Sequence, residues 1–198
     1  MLTIMVMLSH GSVKRPSQYL IYGSLISFGL LLLCVFIRPD SLSVDNGLSY
    51  FGIYKLTVIP YGAALLLYAF CLWKASAASD NRAWQRRILS WSLKLMALLV
   101  VGILATPDTF LGSLHMFLGS SLFILQLILS LLLLKWLTPH LINFALFGLE
   151  LLSGIAAWYY LPLSRGPLLQ TQVVFQLAFI GLLARTIRMT AKSSSAKF

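Results

Sequence analysis

Apolar positions along this chain fall into six runs of about twenty residues, each long enough for a helix to cross hydrocarbon about 30 Å thick. The runs are Tyr19 to Ile37, Lys55 to Trp73, Ile88 to Thr106, Phe110 to Leu134, Leu141 to Leu161 and Leu168 to Arg185. Inside a bilayer the backbone finds no water, so each run must satisfy its own amides. Segments of this length do so as helices, whereas barrel strands need only about ten alternating residues. The pattern predicts an all-α, polytopic integral membrane protein with six transmembrane helices. Composition points the same way: 59% of the residues are apolar and 10% charged, too few charges to cover a water-exposed surface.

The charges are distributed by loop. Lys14 and Arg15 precede the first run, Lys74, Arg82, Arg86 and Arg87 fall between the second and third, and Lys135 falls between the fourth and fifth. Arg185, Arg188, Lys192 and Lys197 finish the chain, while the opposite side carries Arg38, Lys55 and Arg165 with Asp40, Asp45 and Asp108. Lys and Arg accumulate in cytoplasmic loops, so both termini are predicted to be cytoplasmic. This divides the chain into a cytoplasmic segment over 1–18, a six-helix domain over 19–185 and a basic cytoplasmic tail over 186–198. The net charge of +10 then reflects topology and attraction to anionic lipid headgroups, without nucleic acid as a partner.

Trp73, Trp84, Trp91 and Trp136 are expected at the inner membrane boundary, and Tyr50, Tyr54, Trp158, Tyr159 and Tyr160 at the outer one. Met1 to Val13 is apolar, but its positive charge follows rather than precedes it, unlike a secretory signal. The stretch from Ala191 to Phe198 reads as a mobile basic end. Cys34 and Cys71 fall near opposite membrane faces and cannot pair within one chain. With histidines only at 10, 115 and 140, neither zinc nor bis-histidine haem ligation is indicated, and no cofactor is expected. Prolines near the ends of the outward runs, at 39, 107 and 162, give the chain the look of three successive helical hairpins. Pro60 is expected to bend or locally open the second helix.

Ionisable groups inside spans are costly, which singles out Lys94 and Glu150. At about 1.5 Å per residue, Lys94 lies roughly 9 Å, and Glu150 roughly 13 Å, from the cytoplasmic ends of their helices. They either pair to fix the packing of the third and fifth helices, or Lys94 snorkels alone, or Glu150 is a protonatable group on a polar path. Gln172 and Gln176 share one helix face and descend toward the depth of Glu150. With Gln126 and His115 they form either the lining of a cavity, with His115 and Asp108 at its mouth, or a set of separate interhelical hydrogen bonds. The outer loop from Arg38 to Tyr54 suits a lid, a surface helix or a partner contact. The inner loop from Lys74 to Arg87 suits an amphipathic segment on anionic lipid.

The six-helix layout, the stretch Pro39-Asp40-Ser41-Leu42-Ser43, and Pro107-Asp108 followed by Leu114-His115 resemble a large group of bacterial six-helix membrane proteins, itself distantly similar to the autophagy-modulator type. The resemblance implies the fold and a bacterial plasma (inner) membrane; it carries over no functional residue. Three function classes remain, of which the sequence favours the first and leaves the other two as alternatives. The first is a non-enzymatic membrane protein contacting lipid, another membrane subunit or a second copy of itself. The second is a small proton-coupled or amphiphile transporter using Glu150. The third is an intramembrane lipid hydrolase or transferase using Asp108 and His115, for which no nucleophile or metal set is evident.

Overall fold

The computed structural model describes residues 16–42, 47–78, 84–106, 108–137, 139–160 and 167–195. Six α-helices are present: α1 (Pro16–Ile37), α2 (Val58–Ala78), α3 (Trp84–Ala105), α4 (Asp108–Trp136), α5 (Leu141–Tyr160) and α6 (Leu168–Ser195). Two short 3-10 helices, Pro39–Leu42 and Leu48–Gly52, lie between α1 and α2. No strand is found among the described residues. All six α-helices are long and apolar enough to cross a membrane, which makes the chain a multi-pass membrane protein by length and composition.

Packing arranges five helices in a closed ring. Helix α1 meets α2, α2 meets α3, α3 meets α4, α4 meets α6, and α6 returns to α1. Helix α5 packs outside this ring against α6 and α4. Burial separates the two roles: 56% of the span of α6 is buried against 22% for α5, so α6 is the hub and α5 a peripheral support.

Helices α1 and α2 approach each other closely at Gly23. A Cβ on Gly23 would lie 2.0 Å from Cys71 Sγ, so only glycine permits that contact. Both cysteines are buried and free. One apolar cluster fills the half of the ring nearer Pro16, with Leu72, Leu93, Met96, Leu129, Phe179 and Leu183 at its centre. A second, smaller cluster of Cys34, Tyr50, Phe51, Tyr61 and Leu169 closes the opposite end.

Several expectations are revised. Helix α2 starts at Val58, three residues later than expected, so Pro60 falls in its first turn and not in the helix interior. There the missing N–H has no intrahelical partner to lose. Helix α6 continues ten residues past Arg185 to Ser195, so residues 191–195 of the expected mobile tail are helical. Tyr50, expected at a lipid boundary, is buried. Trp73, Trp84, Trp91, Trp158 and Tyr159 are exposed on the helix surfaces, as boundary anchors require. The segment over 1–15, the centres of both long loops (Asp45 and Arg82 among them) and residues 196–198 lie outside the described residues.

Candidate functional site

Between the two apolar clusters lies a cavity of about 140 Å³ inside the five-helix ring. Its polar lining comes from Ser27 on α1, Ser49, Tyr61 and Tyr68 on α2, His115 on α4, and Gln172 and Gln176 on α6. A void of this size matches one known to admit a benzene-sized guest, and lies below the several hundred Å³ of a drug-sized pocket.

The cavity floor is a glutamine pair. Gln126 Nε2 donates to Gln176 Oε1 at 2.9 Å, and Gln176 Nε2 donates back to Gln126 Oε1 at 3.0 Å. This reciprocal bond ties α4 to α6 and satisfies two amides that would be costly unpaired in an apolar core. Tyr68 reaches toward the same Gln176 oxygen at 3.5 Å. Ser27, 5% exposed, lines the cavity with a hydroxyl that has no protein partner.

At the other end, His115 Nδ1 lies 2.7 Å from the Thr106 carbonyl oxygen. A carbonyl can only accept, so the imidazole donates through Nδ1, leaving Nε2 for an occupant of the cavity. Helix α4 is interrupted at Leu111, with φ −130° and ψ 38°. Asp108 therefore does not share a regular helical face with His115, and the Asp108 side chain lies outside the described residues.

The roof is the loop between α1 and α2. Its backbone docks on α6 through Leu48 N–H, which donates to Gln172 Oε1 at 2.7 Å. Gln170 Nε2 donates to the Leu42 carbonyl at 3.1 Å. Gly47 makes the docking possible, since a Cβ there would fall 2.4 Å from Gln172 Oε1. A polar clasp holds the loop at its origin: Arg38 Nε and Nη2 donate to the two Asp40 carboxylate oxygens at 2.9 and 2.6 Å. Tyr50 Oη donates to Asp40 Oδ2 at 2.7 Å and accepts from Arg38 Nη2 at 2.8 Å. The guanidinium also lies over the Tyr54 ring, 3.9 Å from its centroid, a cation–π contact. Hydrogen bonds from Arg38, and then from Tyr50, hold the Asp40 carboxyl well below the usual carboxylate range.

Of the residues singled out from sequence, His115, Gln172 and Gln176 meet at the cavity, with Gln126 beneath them. Lys94 and Glu150 stand apart. Of the three alternatives the ion pair does not form: α3 and α5 each pack on α4, neither Glu150 oxygen has a hydrogen-bond partner, and the Lys94 ammonium lies 5.3 Å from the Trp91 ring centroid on its own helix.

Glu150 is 0% exposed, and neither carboxyl oxygen has a hydrogen-bond partner. The Ser130 hydroxyl approaches it without completing a bond, and Tyr68 is within electrostatic reach. Glu150 is thus outside the cavity lining but within electrostatic reach of one residue in it. Sequence reasoning missed Tyr68, Ser27 and the clasp. Arg38 and Asp40, two residues apart beside a proline, were the one local signal for the clasp.

Among the described residues, no group of three or more His, Cys, Asp or Glu side chains converges on a point that could hold a metal. Compared with known proteins, the chain matches no family model, no curated protein and no solved structure.

Proposed function

We propose that this chain is a small membrane transporter that binds a neutral, hydrogen-bonding or amphiphilic solute in the central cavity and couples its movement to a proton at Glu150. Both termini face the cytoplasm in this reading, and the membrane is the bacterial plasma membrane implied by the six-helix resemblance. The carrying observation is the roofed cavity over the Gln126–Gln176 pair, with a buried carboxyl, unpartnered by hydrogen bonds, within electrostatic reach of the Tyr68 that lines it. Burying an ionisable carboxyl away from water and from any counter-charge is costly, so a fold that retains one inside a span offers a functional candidate by default.

The lining suits a neutral guest. Amides, hydroxyls and an imidazole nitrogen offer donors and acceptors, and no charged side chain lines the cavity. Gln172 has two tasks, since it faces the cavity and also holds the roof through Leu48. A guest that competes for this amide loosens the roof, which links occupancy to opening. The geometry favours this reading over a purely accessory role, because tight helix packing alone needs neither the void nor the unpaired carboxyl.

The test is uptake into proteoliposomes under an imposed pH gradient, with glycerol, acetamide and nicotinamide as probes. At least one probe is expected to enter faster than in empty liposomes and to accelerate with the gradient. Glu150→Gln is expected to abolish the acceleration while leaving the protein inserted and folded. Equal gradient-driven flux in wild type and Glu150→Gln would exclude the mechanism.

A further inference from the structure

A second hollow lies on the surface of the ring, in the seam between α1 and α6. It is a groove of about 340 Å³ with walls that include Ser24, Leu25 and Phe28 from α1 and Leu177, Arg185 and Arg188 from α6. Leu25 and Leu177 are 63% and 50% exposed, so the groove opens outward. Helix rise places Leu177 and Arg188 roughly 16 Å apart along α6, an apolar trough with cations at one end.

We infer that this groove seats one anionic phospholipid, its acyl chain along Leu25, Phe28 and Leu177 and its phosphate at Arg185 and Arg188. Three observations support that occupant. Both titratable residues of the lining are arginines, which bind phosphate oxygens through a planar fork. They are three residues apart and share a helix face, and Arg185 is held in place by donating from Nε to Asn143 Oδ1 at 2.8 Å. Finally, Ser24 lines the groove at 4% exposure with a hydroxyl that has no protein partner. A lipid ester or glycerol oxygen between tail and phosphate would satisfy it.

The inference rests on the chain spanning a membrane but not on solute transport. The two hollows nevertheless share a wall, since Phe28 and Ile180 line both. A bound tail therefore presses on the side chains that bound the cavity.

The test uses the full-length protein in nanodiscs of phosphatidylglycerol and phosphatidylcholine with identical chains, followed by native mass spectrometry of retained lipid. One phosphatidylglycerol per chain is expected, preferred about tenfold over phosphatidylcholine. Arg188→Gln, at an exposed position, is expected to bring that preference close to one. Lys74→Gln, an exposed basic change beyond the groove, is expected to preserve it. Leu25→Trp, which narrows the trough, is expected to reduce retention of both lipids. Wild-type retention in Arg188→Gln, or an equal loss in Lys74→Gln, would overturn the proposal, the latter by reducing it to general surface charge. Glycerol uptake by the same variants reports separately on the transport reading.

Discussion

Asp40 accepts from Arg38 and Tyr50 at one end of the cavity roof, and its carboxyl is held below the ordinary range by those bonds. A lowered folded-state value makes the contribution of the group complete above its unfolded value near pH 4, and removes it only as pH falls further. The clasp should therefore hold unchanged from about pH 5 to 9 and loosen only in stronger acid. A spin label at Leu42 should report constant mobility across that neutral window, and high mobility at every pH in Asp40→Asn. Titration of wild-type mobility near neutrality would contradict the assignment. At this scale the sequence was partly legible. Gln126, Gln172, Gln176 and His115 stood out because polar groups in apolar runs need partners, and they do converge. Lys94 and Glu150 had compatible depths, but depth along a helix says nothing of which helices touch, and α3 and α5 each pack on α4 instead.

Helices are set here by apolar run length, while their contacts are set by a few small residues. All six elements could be read from the chain because twenty apolar residues in a row leave few alternatives. Their boundaries were less legible. The loop before α2 winds through Leu48–Gly52 and draws the helix start to Val58, so Pro60 became a first-turn residue instead of an interior one. The ring order was not readable, since it depends on contacts such as Gly23 against Cys71. Gly23→Ala should overpack that contact and destabilise the protein by about 1–3 kcal/mol. Adding Cys71→Ala should recover part of the loss in thermal unfolding. An unchanged melting temperature in Gly23→Ala would show that α1 and α2 are not held this closely.

In the whole molecule, five helices surround a small, mostly apolar void carrying a few polar groups, a clasped loop roofs it, and a buried carboxyl lies within electrostatic reach of Tyr68 in its lining. The central claim is that this void receives a solute. Gly119 offers the most direct test, because it lines the cavity and a Cβ there meets nothing within 4 Å. Gly119→Leu fills the space without displacing a neighbour at its first carbon. The measurement is saturable uptake of the transported probe by proteoliposomes carrying wild type or Gly119→Leu, matched for inserted protein. The account predicts at least a tenfold loss of uptake in a variant that melts no lower than wild type. Undiminished uptake by the folded variant would contradict it.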